Sequence, residues 1–178
     1  PHTGSLPTGE GGGRGRSIIL NMKKNLLLAL AFNLLPFAGV GNAVYAQNPI
    51  AQTCFSTDPA PMVSGDRLYV FTGHDEDNAD FFWMNEWRLF STTDMVNWTD
   101  HGAVASLGDF KYYDGNNGAW ALQVIERNGK WYMYCPIHGH GIGVLVSDSP
   151  YGPFKDPLGK PLVWQREHWN DIDPTVWI

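Results

Sequence analysis

Asp58-Pro-Ala-Pro-Met-Val-Ser-Gly-Asp-Arg-Leu-Tyr-Val-Phe-Thr72 and Trp120-Ala-Leu-Gln-Val-Ile-Glu-Arg-Asn-Gly-Lys-Trp-Tyr-Met-Tyr-Cys135 are two copies of one pattern. In each, an apolar run meets a short polar turn, and a second apolar run follows. The turns are Ser64-Gly65-Asp66 and Arg127-Asn128-Gly129, and the units align at an offset of 63 residues. Asn-Gly between apolar runs is a strong hairpin signal, because both residues accept the positive φ of a tight turn.

Each hairpin continues alike. Trp87–Asp94 reads as a third strand ending in Thr-Asp, and Gly143–Asp148 is its counterpart, ending in Ser-Asp. Short fourth segments follow around Trp98-Thr99 and around Pro153-Phe154. A third unit opens at Asp173-Pro-Thr-Val-Trp-Ile178 and is expected to run on past Ile178. Four-stranded units repeating at about 40–65 residues point to propeller blades. The expected fold is therefore all-β, with blades one and two and the start of blade three present. A β-sandwich is the alternative, and the long loops and the aligned repeat weigh against it. No helix-period stretch follows residue 46.

Composition narrows the class. The chain has 178 residues, 17% charged and 13% aromatic, and all eight Trp lie after position 46. Disorder needs low hydrophobicity and high charge, so it is excluded. Gly (20) and Pro (12) are too frequent for a coiled coil. From Met22 the sequence carries Lys23 and Lys24, an apolar run from Leu26, and Val44-Tyr45-Ala46. This is the pattern of a secretory signal peptide over 22–46, with cleavage after Ala46; the apolar stretch is short and broken for a membrane span. Residues 1–21 precede that start Met and are read as non-native upstream sequence. The expected domain is 47–178, secreted or periplasmic, and away from the membrane once cleaved.

Arg14, Arg16, Lys23 and Lys24 supply four of the 12 basic residues, whereas Glu10 is one of 18 acidic ones. The domain is thus more acidic than the net −6 of the whole chain. Such a surface repels phosphate backbones, which argues against nucleic acid and for a neutral substrate. Export permits disulfides, but Cys54 and Cys135 are the only cysteines. Pairing and buried free thiols both stay open.

Asp58 and Asp173 stand at equivalent positions, each at the head of a unit and each followed by Pro. A propeller would bring them to one pocket. Glycoside hydrolysis needs an acid and a carboxylate across the scissile bond, about 6.5–9.5 Å apart in inverting enzymes. Asp58 could activate water, and Asp173 could tune the acid through like-charge repulsion. The following Pro biases each Asp to extended backbone. Asp156-Pro157 has the same dipeptide and is read as an ordinary turn.

Together Thr57–Pro61, Gly65–Asp75, Ser91–Trp98, Ala119–Glu126 and Asp171–Ile178 resemble glycoside hydrolase family 43, in order and spacing, across essentially all of 47–178. The resemblance implies a five-bladed propeller and an inverting mechanism on arabinofuranosides or xylosides of plant hemicellulose such as arabinoxylan. It makes Asp58 the general base and Asp173 the pKa modulator. It places the general acid, a Glu, in a later blade past Ile178, so this chain alone is expected to be inactive. Glu126 and Glu167 are not in the matching context. The Gly73–Asp77 and Asn85–Trp87 segments look like arabinofuranosidases acting on side chains of arabinoxylan; β-xylosidase and endo-arabinanase activities stay open. Leu122 departs from the Pro common in relatives, without loss of the strand.

Trp120 is expected to stack on a sugar. His74 and Asp75 are expected at the funnel mouth to bond sugar hydroxyls, with His138 near the pocket. Trp83, Trp87 and Trp98 read as packing or rim. His138 and His140 lack the three or four ligands of a zinc site. Asp75, Asp77 and Asp80 resemble a calcium loop only loosely, without its Gly and terminal Glu. No metal or cofactor is predicted, although some family members carry an axial calcium. The competing readings are a non-catalytic glycan-binding propeller and a structural cell-surface propeller.

Overall fold

The computed structural model describes residues 49–167 and 171–178. The upstream and signal-peptide readings lie outside the described residues. Two antiparallel sheets carry the chain. The first runs β1 (Phe55–Ser64), β2 (Arg67–Asp75), β3 (Glu86–Thr92), β4 (Thr99–Ser106), in that spatial order. After a single 3-10 turn (Leu107–Asp109), the second runs β5 (Gln123–Arg127), β6 (Lys130–Pro136), β7 (Ile142–Ser147). The all-β, antiparallel expectation holds, with both sheets wound as simple meanders.

Both hairpins form at the predicted turns. Ser64 pairs with Arg67 around Gly65 (φ 63), and Arg127 pairs with Lys130 around Asn128 (φ 54) and Gly129 (φ 72). At Asn128-Gly129 the two positive φ values in succession are those of a type I′ turn, whereas in Gly65-Asp66 only Gly65 is positive, at the first central position where a type II′ turn takes glycine.

The expected strand 120–126 begins only at Gln123. The fourth segment forms as expected in sheet one but not in sheet two. In sheet one it is a full strand, β4. In sheet two, among the described residues, β7 meets isolated bridges instead of a fourth strand: Val146 and Lys155 exchange backbone bonds of 2.9 and 3.0 Å, and Ile142 pairs with Val163. Pro150, Pro153 and Pro157 deny that segment the N–H groups a ladder needs.

Between the sheets lies one core. Tyr69, Phe71, Trp87 and Leu89 come from sheet one; Val124, Trp131, Met133 and Leu145 come from sheet two. Trp131 joins them, with its ring 5.1 Å from Tyr69 and 6.4 Å from Phe71. Burying each such side chain contributes about 1.5–3 kcal/mol. The first strands of the two sheets, β1 and β5, also lie against each other, which brings the heads of both sheets to one place.

Both cysteines are free thiols. Cys135 is buried, and burial pushes its thiol well up; Cys54 is half-buried.

Candidate functional site

Register in β1 slips between Thr57, opposite Gly73, and Ala60, opposite Phe71. Two residues, Asp58 and Pro59, therefore face the single residue Thr72. This is a bulge, a device that re-aims a side chain. Pro59 has no N–H to give to the ladder. Asp58 takes φ 50, and Asp173 takes the same φ 50. This corrects the extended backbone expected from the following prolines. The left-handed region costs Asp less than most residues, and the same uncommon conformation recurs at both unit heads.

Asp58 and Asp173 line one cavity of about 370 Å³ with Thr57, Asp75, Phe82, Met84, Trp120 and Ala121. Trp120 is held by its backbone. Its N–H donates to the Pro136 carbonyl at 3.2 Å, and its own carbonyl accepts the Trp87 Nε1–H at 2.8 Å. Trp87 is fully buried, so the indole that fixes Trp120 is itself fixed by the core. The Trp120 ring meets the His138 ring edge-on, centroids 4.4 Å apart. Asp171 accepts the Gln165 N–H at 2.7 Å, tying down the approach to Asp173.

The other predicted residues part company here. Asp75 lines the cavity, but His74 does not. His74 is 7% exposed, and its Nδ1 lies 2.8 Å from the Phe55 carbonyl. Neighbours on a strand point to opposite faces, so the two could not both reach one cavity. His138 is exposed and comes to the cavity only through Trp120. His138 and His140 sit in the β6–β7 turn rather than on a strand, His140 packing against Tyr113 and Trp164. Asp156 is buried and accepts N–H bonds from Lys111, Leu158 and Gly159, the structural turn expected of it.

Thr57, Phe82, Met84 and Ala121 were not singled out from the sequence. Phe82 carried a signal: it belongs to an aromatic run, Phe81-Phe82-Trp83, inside an otherwise polar loop. Asn117 was also missed. Its Oδ1 accepts the N–H of Met84 (2.8 Å) and of Gly118 (2.7 Å), and its Nδ2 donates to the Phe82 carbonyl at 3.0 Å. Gly118 must be glycine: φ is +104, and a Cβ would meet His138 Cβ at 2.7 Å.

Two polar atoms of cavity residues, Thr57 Oγ1 and Asp75 Oδ1, are buried without a hydrogen-bond partner among the described residues. Buried polar atoms are rarely left so, and each such exception calls for an explanation. Carboxylates, an indole and a phenyl ring around one small cavity suit a neutral ring with hydroxyls on its edge and C–H groups on its face. Among the described residues no group of three His, Cys, Asp or Glu is placed to hold a metal ion.

Residues 46–178 match the family described as Glycosyl hydrolases family 43. An arabinoxylan arabinofuranohydrolase of Bacillus subtilis is 36% identical over 148 residues, covering 70% of this chain and 27% of that protein. A xylosidase/arabinosidase of Bacteroides ovatus is 35% identical over 136 residues, covering 69% and 40%. Among solved structures, an α-L-arabinofuranosidase of Clostridium thermocellum is 42% identical with a TM-score of 0.53, covering 65% of this chain and 38% of that one. The chain spans well under half the length of these relatives.

Proposed function

The chain belongs to the glycosyl hydrolases of family 43, and from that premise we propose that it is part of a secreted, inverting glycosidase with a five-bladed propeller. The enzyme removes α-L-arabinofuranosyl or β-xylosyl residues from plant hemicellulose such as arabinoxylan, with arabinofuranosyl preferred. The single observation that carries this reading is that Asp58 and Asp173, far apart in sequence, line one cavity with Trp120.

In this mechanism Asp58 takes a proton from water, and that water attacks the anomeric carbon. Asp173 tunes the general acid by its negative charge. The acid is a Glu outside residues 1–178, so this segment alone does not hydrolyse. Trp120 supplies an apolar face for the sugar, and Asp75 bonds its hydroxyls. His74 and His138 act indirectly: His74 anchors the end of β2, and His138 supports the Trp120 ring. The reading calls for no cofactor. The preference for arabinofuranosyl groups is supported by the first relative named above, an arabinoxylan arabinofuranohydrolase.

The test is Asp58→Asn in the full-length protein. Turnover of arabinoxylan and of 4-nitrophenyl α-L-arabinofuranoside should fall about a thousandfold or more. Unchanged turnover removes Asp58 from the role of base. A parent protein that binds arabinoxylan without turning it over supports a glycan-binding propeller instead.

A further inference from the structure

The Asp58–Asp173 cavity draws its apolar walls from two stretches of chain. Phe82 and Met84 lie where the β2–β3 loop runs into β3, and Trp120 and Ala121 stand just ahead of β5. The cavity is small, at about 370 Å³, so its shape depends on where those two stretches stand. They are stitched together beside it. The Met84 carbonyl accepts the N–H groups of Gly118 and Ala119 at 2.9 and 3.0 Å.

Asn117 adds a side chain to that stitch. Its Oδ1 accepts from Met84 at 2.8 Å and from Gly118 at 2.7 Å, and its Nδ2 donates to the Phe82 carbonyl at 3.0 Å. Its own carbonyl accepts the Tyr113 hydroxyl at 2.8 Å, so the backbone that carries the amide is held as well. Gly118 passes the hold on: its carbonyl accepts the His138 N–H at 3.0 Å, and the His138 ring meets the Trp120 ring. One amide thus touches the backbone of both walls. The partners ask for an amide, because one end must accept two N–H bonds while the other donates to a carbonyl. A carboxylate would set oxygen against the Phe82 oxygen, and a methyl group would make none of the three bonds.

We propose that Asn117 is a specificity-determining positioning residue. It fixes the spacing between the Phe82–Met84 wall and the Trp120–Ala121 wall, and so the shape of sugar ring that the cavity accepts. This rests on the hydrolase reading above. A five-membered arabinofuranosyl ring and a six-membered xylosyl ring differ by one ring atom, a difference that a close-fitting pocket turns into about 10–200-fold in kcat/KM. Walls free to shift lose that discrimination. Asn117 acts through Phe82, Met84 and Gly118 and not on the sugar itself.

The experiment compares the full-length parent, Asn117→Ala and Asn117→Asp on 4-nitrophenyl α-L-arabinofuranoside and 4-nitrophenyl β-D-xylopyranoside. The readout is the ratio of the two kcat/KM values, which does not depend on the fraction of enzyme that folds. In Asn117→Ala the ratio should move about fivefold or more toward one. Asn117→Asp keeps the bonds from Met84 and Gly118 and loses the donation to Phe82, so its ratio should lie between those of the parent and Asn117→Ala. Should Asn117→Ala fail to fold, Asn117→Asp decides, with a shift of about twofold or more expected. Ratios unchanged in both variants, or a parent ratio near one, would overturn the proposal. So would an equal shift in Asp156→Ala, which loosens a turn that lines no part of the cavity. A parent that hydrolyses neither glycoside sinks the hydrolase reading by itself. The clamp is then read from crystal structures: a changed spacing between Phe82 and Trp120 in Asn117→Ala upholds it, and an unchanged one refutes it.

Discussion

At the head of the first sheet the chain reads Thr57-Asp58-Pro59; at the head of the second, 63 residues on, it reads Trp120-Ala121-Leu122. Thr57, Asp58, Trp120 and Ala121 all line the same cavity. The first head is bulged, with Asp58 at φ 50, whereas Ala121 keeps a negative φ and Leu122 is buried. The head of the repeat thus delivers a carboxylate from one sheet, at Asp58, and an aromatic wall from the next, at Trp120, the position that aligns with Thr57. The repeat supplies places, and the side chain at each place supplies the chemistry.

The strongest way to break this comparison is to exchange the two heads. Asp58→Asn combined with Ala121→Asp restores the number of carboxylates but moves one to the unbulged head. Its kcat/KM should stay below about 1% of the parent, because general-base catalysis contributes about 10²–10⁴-fold and depends on placement. Recovery in a steady-state assay would show that it does not matter which head carries the carboxylate.

Both heads reach one cavity only while the sheets pack together. Trp131→Ala removes the ring that joins Tyr69 and Phe71 to sheet two, and should cost about 3–5 kcal/mol. Urea unfolding of the full-length protein measures it. A loss under 1 kcal/mol would mean that the sheets are joined elsewhere.

Further along, the sheets differ in how they end. Among the described residues sheet one closes with β4, but sheet two closes with isolated bridges from β7 to Lys155, next to Asp156, and to Val163. Burial pushes the Asp156 carboxyl up, but N–H bonds from Gly159, Lys111 and Leu158 outweigh it and hold it below its ordinary value. Asp156→Ala should therefore destabilise by about 1–3 kcal/mol, since it leaves those buried donors unpaired. Thermal unfolding would show it, and an unchanged midpoint would assign the closure to the bridges alone.

The smallest effect concerns the turns after β3 and β7. Thr92 Oγ1 accepts the Asp94 N–H at 3.2 Å, and Ser147 Oγ accepts the Ser149 N–H at 3.1 Å, so the two turns begin alike. Asp94 then accepts bonds from the Asn97 backbone, the Asn97 side chain and Val96, and these hold its carboxyl well below the usual range. A depressed folded pKa contributes stability above the unfolded value near pH 4, and that stability is lost as pH falls through the folded value. Asp94→Asn should flatten the acid side of the stability–pH curve slightly, as thermal unfolding between about pH 2 and pH 6 would show; an unchanged curve would contradict it.

The hairpins were legible because Asn128-Gly129 and Gly65 have few other uses between apolar runs. The meeting of Asp58 and Asp173 was legible because repeat position sets spatial position. The backbone at those residues was not: the rule for residues before proline is local, whereas the bulge is set by register against β2. Sheet two's missing fourth strand is written in Pro153, although the segment around Pro153-Phe154 reads as a strand. His74 was assigned with Asp75 although strand alternation separates them. In the β2–β3 loop Trp83 reads as packing or rim, and nothing local in Phe81-Phe82-Trp83 shows that Phe82 walls the Asp58–Asp173 cavity.

The most direct measurement is a crystal structure of the full-length Asp58→Asn variant with a bound arabinoxylo-oligosaccharide. The account predicts one arabinofuranosyl ring in the cavity, within hydrogen-bond reach of residues 58 and 173 and against the Trp120 face. A sugar bound on another surface, with residues 58 and 173 touching none of it, would contradict the account.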